Sequence, residues 1–254
     1  MSLLEVDDLR RSFGGLRAVD GVSFAAEADR VTAVIGPNGA GKTTLFNLIS
    51  GALAPDSGRV VFDGADITGL KPFRVARLGL ARTFQSIKLS ARMTALENVM
   101  IGRHVRSRSG FPSGMLAAPW ARAEERSIRE EAMKAIELLG ILEYRDRPTG
   151  ALPFGVQRSV ELARAVASEP RLLLLDEPAS GLNARETRGL AQLIARIRDR
   201  GITILVVEHD MSLVMDVSDD IVVLDFGRKI AQGRPREIQA NREVINIYLG
   251  EEDA

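Results

Sequence analysis

The sequence predicts an α/β fold, a mostly parallel sheet wound with helices on both faces, and three observations lead there. Short β-rich apolar runs at Val31-Thr32-Ala33-Val34-Ile35, Leu172-Leu173-Leu174-Leu175, Ile202-Thr203-Ile204-Leu205-Val206-Val207 and Ile221-Val222-Val223-Leu224 are bounded by charged residues or glycine, the pattern of strands buried on both faces. Stretches with apolar residues at helical spacing lie between them, and alternating strands and helices with right-handed crossovers give a doubly wound sheet. The first of these runs opens directly into a glycine-rich stretch that a helix follows.

That stretch is Gly36-Pro37-Asn38-Gly39-Ala40-Gly41-Lys42-Thr43-Thr44, which fits G-x-x-x-x-G-K-[ST]. Leu45, Leu48 and Ile49 then share one helical face, and Gly51 stands just past the last turn. Glycines let successive backbone N–H groups turn inward around an anion, and a helix N-terminus adds partial positive charge at the same point. The stretch therefore reads as a phosphate-binding loop, with Lys42 reaching the β- and γ-phosphates and the Thr43 hydroxyl ligating Mg²⁺.

Whole-chain properties narrow the classes. With 254 residues and 45% hydrophobic content there is material for one large α/β domain or a core with an inserted subdomain. Lys+Arg and Asp+Glu are both 34, so no overall basic field argues for nucleic acid. The absence of cysteine excludes disulfides, thiolate metal sites and cysteine nucleophiles. The N-terminus meets Glu5, Asp7 and Asp8 too early for a secretory signal, and no apolar run approaches the ~20 residues that span a bilayer.

Taken in order, Leu4, Val6 and Leu9, then Val22 and Phe24, mark two strands around the turn Phe13-Gly14-Gly15. Val60-Val61-Phe62 gives another after Pro55-Asp56-Ser57-Gly58, so an antiparallel flap is expected beside the phosphate loop. Phe13 belongs either to the hairpin core or against a stacked adenine. Residues 70–78 predict a short helix, and Leu80-Ala81-Arg82-Thr83-Phe84 a strand that ends at Gln85, whose amide can reach a bound cation and water. From 86 to 150 strand patterns vanish and charges rise. Residues 106–114 read as a flexible loop, and a long helix opening at Pro119 carries the stripe Ile128, Ala132, Ala135, Ile136 and Leu139 up to Gly140, with Glu125–Arg129 and Glu130–Lys134 as i,i+4 pairs.

A further helix, with Val160, Ala163 and Ala167 on one face, ends before Pro170. The strand from Leu172 then delivers Asp176 and Glu177 to the sheet rim, where Asp176 suits Mg²⁺ and Glu177 the attacking water. A helix with Leu190, Leu193, Ile194 and Ile197 inward leads to the strand that ends at Glu208-His209-Asp210. His209, at a third strand terminus, reads as a γ-phosphate sensor. After a turn at Phe226-Gly227 the tail is helical, with Val244, Ile247 and Leu249.

Together these residues resemble the ATP-binding subunits of ABC transporters over essentially the whole chain. Gly36 to Thr43 looks like that family's Walker A loop, Gln85 like the Q-loop glutamine, Leu172 to Asp176 like the Walker B strand and Glu177 like the catalytic glutamate. Ser180-Gly181-Leu182-Asn183 resembles the D-loop, His209 the switch histidine, and Phe13 the aromatic that stacks on adenine. The resemblance implies a P-loop NTPase (RecA-like) core from residues 1–85 and 151–254, carrying the antiparallel β subdomain, with a helical subdomain at 86–150. It also implies ATP and Mg²⁺ as ligands, with Gly36, Pro37, Asn38, Gly39, Ala40, Gly41, Lys42, Thr43 and Thr44 around the phosphates, and Gly155 and Asn183 presented at a dimer seam.

Arg11-Ser12-Phe13-Gly14-Gly15-Leu16, the run from Ala81 through Gln85 to Glu97-Asn98-Val99, and the tail from Ala231 to Gly250 look most like the branched-chain amino acid importers, a likeness shared with importers of amides and urea. The signature departs from L-S-G-G-Q. In Leu152-Pro153-Phe154-Gly155-Val156, Pro153 offers neither a hydroxyl nor a backbone N–H, and Asn183 stands where many relatives carry aspartate. The implied partners are two integral-membrane permease subunits, a second ATP-binding subunit and, indirectly, an extracytoplasmic solute-binding protein. The implied place is the cytoplasmic face of the membrane. An ATP-binding regulatory module with little turnover is the alternative that the altered signature leaves open.

Overall fold

The computed structural model describes residues 1–83, 85–106 and 119–249. They form two compact units, Met1–Arg82 with Arg171–Ala254, and Thr83–Pro170.

The first unit holds two sheets. The smaller is antiparallel, with β1 (Ser2–Phe13) between β2 (Leu16–Glu27) and β4 (Ser57–Phe62), and a short β5 (Ala65–Asp66) at its edge. The larger has the order β10-β9-β3-β8-β7-β6, where β3 is Val31–Ile35, β6 Leu80–Arg82, β7 Leu172–Asp176, β8 Thr203–Val207, β9 Asp220–Asp225 and β10 Arg228–Gly233. Every pairing from β9 through β6 is parallel and β10 is antiparallel at the edge. All residues of β3, β7 and β8 are buried, in accord with their continuous apolar runs.

Helix α1 (Lys42–Ile49) joins the sheets. Its Leu45, Phe46, Leu48 and Ile49 belong to one core with Leu4, Val6, Leu9, Val22, Phe24 and Phe62 of the antiparallel sheet and with Leu172, Leu174, Leu205, Val207, Val222 and Leu224 of the parallel one. The phosphate loop is thus anchored, through Ala40 and the helix that follows it, in an apolar core shared by both sheets. α2 (Pro72–Arg77) precedes β6, and β6 stops at Arg82, short of the strand end expected at Gln85; Phe84 lies outside the described residues.

The helical unit contains α3 (Ala95–Arg103), α4 (Pro119–Leu138) and α5 (Phe154–Val166). Its helices pack through the predicted stripe, since Ile128, Ala132, Ala135, Ile136 and Leu139 are all buried, and Gly140 ends the run at φ 69°. Lys134 pairs with Glu131 at 2.7 Å, one residue nearer than the expected Glu130. Thr94 caps α3 in a reciprocal box with Glu97, and the buried Asn98 amide bonds the carbonyls of Ser90 and Thr94. The boundaries differ from the expected 86 and 150. α5 belongs to this unit because Val160, Leu162 and Ala163 are buried and the apolar stripes of α3 and α4 need a third helix to cover them. The loop expected at 106–114 lies almost wholly outside the described residues.

The remaining helices, α6 (Ala184–Arg198), α7 (Met211–Val217), α8 (Pro235–Gln239) and α9 (Arg242–Leu249), belong to the first unit. β10 was not expected: Arg228-Lys229-Ile230-Ala231-Gln232-Gly233 is too polar for a buried strand but suits a sheet edge.

Candidate functional site

Strand register assembles one rim. Val207 of β8 sits opposite both Val34 of β3 and Asp176 of β7, while Ile35 sits opposite Val223 of β9. Parallel strands ending at one level deliver Gly36, Glu177, His209 and the β9–β10 turn to the same edge, the crevice where α/β sheets hold ligands. A cavity of about 400 Å³ opens there, lined by Asn38, Gly39, Ala40, Gly41, Lys42, Thr43 and Thr44 together with Phe13, Leu16, Arg17, Ala18, Glu177 and Phe226.

The loop's backbone is fixed by close approach. A Cβ on Gly36 would stand 2.1 Å from the Leu224 carbonyl, and one on Gly41 2.2 Å from the Ala18 carbonyl. Gly41, at φ 98°, is the N-cap of α1, which no side chain caps and whose first turn holds no acidic residue. The helix end thus keeps its partial positive charge aimed at the cavity. The Lys42 ammonium is drawn across the loop onto the carbonyls of Gly36 at 2.6 Å and Pro37 at 2.8 Å.

Glu177 lies on the cavity wall in a left-handed conformation, φ 47°, rare for a residue with a side chain. The Val207 carbonyl accepts its N–H at 2.9 Å, and its own carbonyl accepts from Ser180 at 3.1 Å. Asp176 is buried and forms a 2.7 Å ion pair with Arg82, whose guanidinium also donates to Asn47 of α1 and to Ser50, its C-cap, and lies over the Phe46 ring. The Thr43 hydroxyl and the Asp176 carboxylate are hard oxygen donors, a set that suits Mg²⁺ carried on phosphates. His209 is exposed and does not line the cavity; its Nδ1 stands 4.0 Å from the buried Glu208 carboxylate.

Phe13 is 45% exposed and forms part of the cavity wall, so it is not a hairpin core residue. Asn183 caps α6, accepting from the N–H groups of Arg185 and Glu186 while Glu186 accepts from its own. Gln85 and Gly155 belong to the helical unit, where the Gln85 carbonyl accepts from Arg158 at 3.3 Å. Gly155 is in the first turn of α5, whose N-cap is Pro153 and has no side-chain cap.

The profile of the ABC transporter family matches residues 19–180, more than half of the chain. The chain belongs to the ABC transporter family. The cassette also matches a branched-chain amino acid ATP-binding cassette transporter profile over residues 228–254. It is 44% identical to the high-affinity branched-chain amino acid transport ATP-binding protein BraF of Pseudomonas aeruginosa and 41% identical to LivG of Escherichia coli K12, in each case over 98% of both chains. A nucleotide-free ATP-binding cassette from an ABC transporter superposes with a TM-score of 0.85 at 34% identity, over 98% of this chain and 99% of that one. A cassette in its ADP conformation gives 0.86 at 33% over the same shares.

Three residues of the cassette's site escaped the sequence reading. Phe226 lines the cavity at 85% exposure and φ 41°, on a turn stitched to the phosphate loop through Gly227 N–H to the Ala40 carbonyl. An aromatic directly before a turn glycine was the available signal. Arg82 was legible as a cation inside a buried strand, which demands a partner. Glu208 was legible as a second acidic residue closing a buried strand, though nothing in the sequence names what it holds.

Proposed function

We propose that this cassette is the ATP-hydrolysing subunit of an importer for branched-chain or related amino acids. The observation that carries the hydrolytic role is Glu177. A carboxylate held in a strained backbone on the wall of the phosphate cavity suits a general base for the attacking water. The N–H groups of the loop, the open α1 N-terminus and Lys42 stabilise charge on the transferring phosphoryl group. Mg²⁺, when bound with nucleotide, neutralises charge on the β- and γ-phosphates. Thr43 and Asp176 are the residues of the first unit that would hold it.

Phe13 supports the base of the nucleotide by stacking, and His209 senses the γ-phosphate. Gly155 and Asn183 meet the nucleotide of a second ATP-binding subunit in a head-to-tail sandwich. Two permease subunits anchor the pair at the cytoplasmic face of the membrane, and residues 85–98 carry the contact with them. Among the described residues no helix is long and apolar enough to cross a membrane. The solute class rests on BraF and LivG, whose names state branched-chain amino acid transport.

The test is uptake by proteoliposomes holding the cassette, its permease subunits and the solute-binding protein. ATP-dependent accumulation of labelled leucine is expected. Accumulation of urea or short amides without leucine would move the solute assignment, and nucleotide binding without phosphate release in the full assembly would establish the regulatory module instead.

A further inference from the structure

We infer that Glu208 is a positioning residue of the hydrolytic site, its buried carboxylate tying the loop that follows Glu177 to the loop that carries His209. One oxygen accepts the Ala179 N–H at 2.6 Å. The other accepts the N–H groups of His209 at 3.0 Å and Asp210 at 3.3 Å. The side chain is wholly buried, and the exposed His209 ring stands 4.0 Å from it.

A carboxylate placed there is expensive, because burial strips its water and pushes its pKa up against the three backbone donors that pull it down. What the placement achieves is geometric. Ala179 is two residues beyond Glu177, and Val207, whose carbonyl fixes the Glu177 N–H, is the residue before Glu208. The end of β8 therefore holds the β7–α6 loop at Glu177 by its backbone and at Ala179 by a side chain. The same side chain fixes the two residues that follow it in the β8–α7 loop, His209 and Asp210. The strained base and the sensor loop share one anchor. An amide is not equivalent, since the three groups that bond the two Glu208 oxygens are all N–H donors and the NH₂ of glutamine has to meet one set of them.

The inference rests on the roles proposed for Glu177 and His209, and its test separates the two. The purified full chain would be compared with Glu208→Gln, Glu177→Gln and His209→Ala for steady-state phosphate release, for affinity by a fluorescent ATP analogue and for thermal unfolding. A variant with lactic acid in place of Ala179 removes that N–H alone, which keeps the comparison open should Glu208→Gln unfold. Expected are nucleotide affinity within threefold of the parent, kcat at least tenfold lower for both Glu208→Gln and the ester, and no further loss when they are combined. A kcat within twofold of the parent for both, or parallel loss of affinity, turnover and melting temperature in both, would overturn the inference. Turnover by Glu177→Gln would overturn the base assignment instead, a failure read on a different variant.

Discussion

Phe13, Leu16 and Phe226 are among the exposed large apolar residues of the chain, and all three rim the phosphate cavity. In the proposed function an apolar rim around a polar cradle separates the work, the loop holding the phosphates and the aromatic faces the base. Stacking on an aromatic side chain is worth about 1–3 kcal/mol per base, roughly 5- to 150-fold in Kd. Phe13→Ala is therefore expected to weaken ATP by that range while leaving tripolyphosphate binding unchanged, as read by competition with a fluorescent nucleotide. Equal weakening of both ligands would show damage to the loop rather than a lost base contact. At this scale the glycine loop was legible as a loop because its backbone geometry is written in the sequence, glycine by glycine. Arg82, Glu208 and Phe226 showed only a residue type and not a role, because each acts through partners that lie far away in sequence: Asp176 for Arg82, Ala179 for Glu208, and the phosphate loop, tethered at Ala40, for Phe226.

Two elements owe their placement to single polar side chains. Arg82 links β6, α1 and the end of β7, with little exposure for either member of its pair with Asp176. Removing one partner of a buried pair costs about 3–5 kcal/mol, so Arg82→Leu should lower the unfolding free energy read from a denaturant titration by that amount. A change within experimental error would show that the pair carries no net stability. Asp210 caps α7 through the N–H groups of Ser212 and Leu213, and the Ser212 hydroxyl, donating to the same carboxylate at 2.6 Å, is the main reason its pKa is lowered. A depressed carboxylate stabilises the folded chain above the ordinary aspartate value, about 3.9, and loses that contribution as pH falls through the folded value. Asp210→Ala should accordingly cost about 1 kcal/mol at any pH from 5 to 8, with the gap closing below about 4. A gap that widens in acid would contradict the cap.

The elements themselves were largely legible, since fully buried strands announce themselves as unbroken apolar runs. β10 did not, because an edge strand exposes half its residues and carries no such run.

At the scale of the whole molecule, the division into a nucleotide-binding unit and a helical unit was legible from the change of pattern after Gln85, whereas its second boundary was not. The helix Phe154–Val166 reads equally well as part of either unit until its buried face finds α3 and α4. That helix has Pro153 as its N-cap, with no side-chain cap, and in the proposed sandwich a serine there would add a hydrogen bond to a charged phosphate worth about 1.5–3 kcal/mol. The purified chain is expected to sediment mainly as a monomer. Glu177→Gln with ATP should shift it to a dimer, Pro153→Ser should tighten that dimer, and Gly155→Asp should abolish it. A dimer indifferent to both ATP and Gly155→Asp would exclude the head-to-tail sandwich for the isolated protein.

The central claim is that one rim binds nucleotide through the loop ending in Lys42 and Thr43 and hydrolyses it through Glu177. Nucleotide affinity and phosphate release, measured on the same preparations of Lys42→Ala and Glu177→Gln, test it most directly. Lys42→Ala is expected to lose micromolar ATP binding, and Glu177→Gln to keep parental affinity with no turnover above background. Phosphate release by Glu177→Gln at the parental rate would contradict the account.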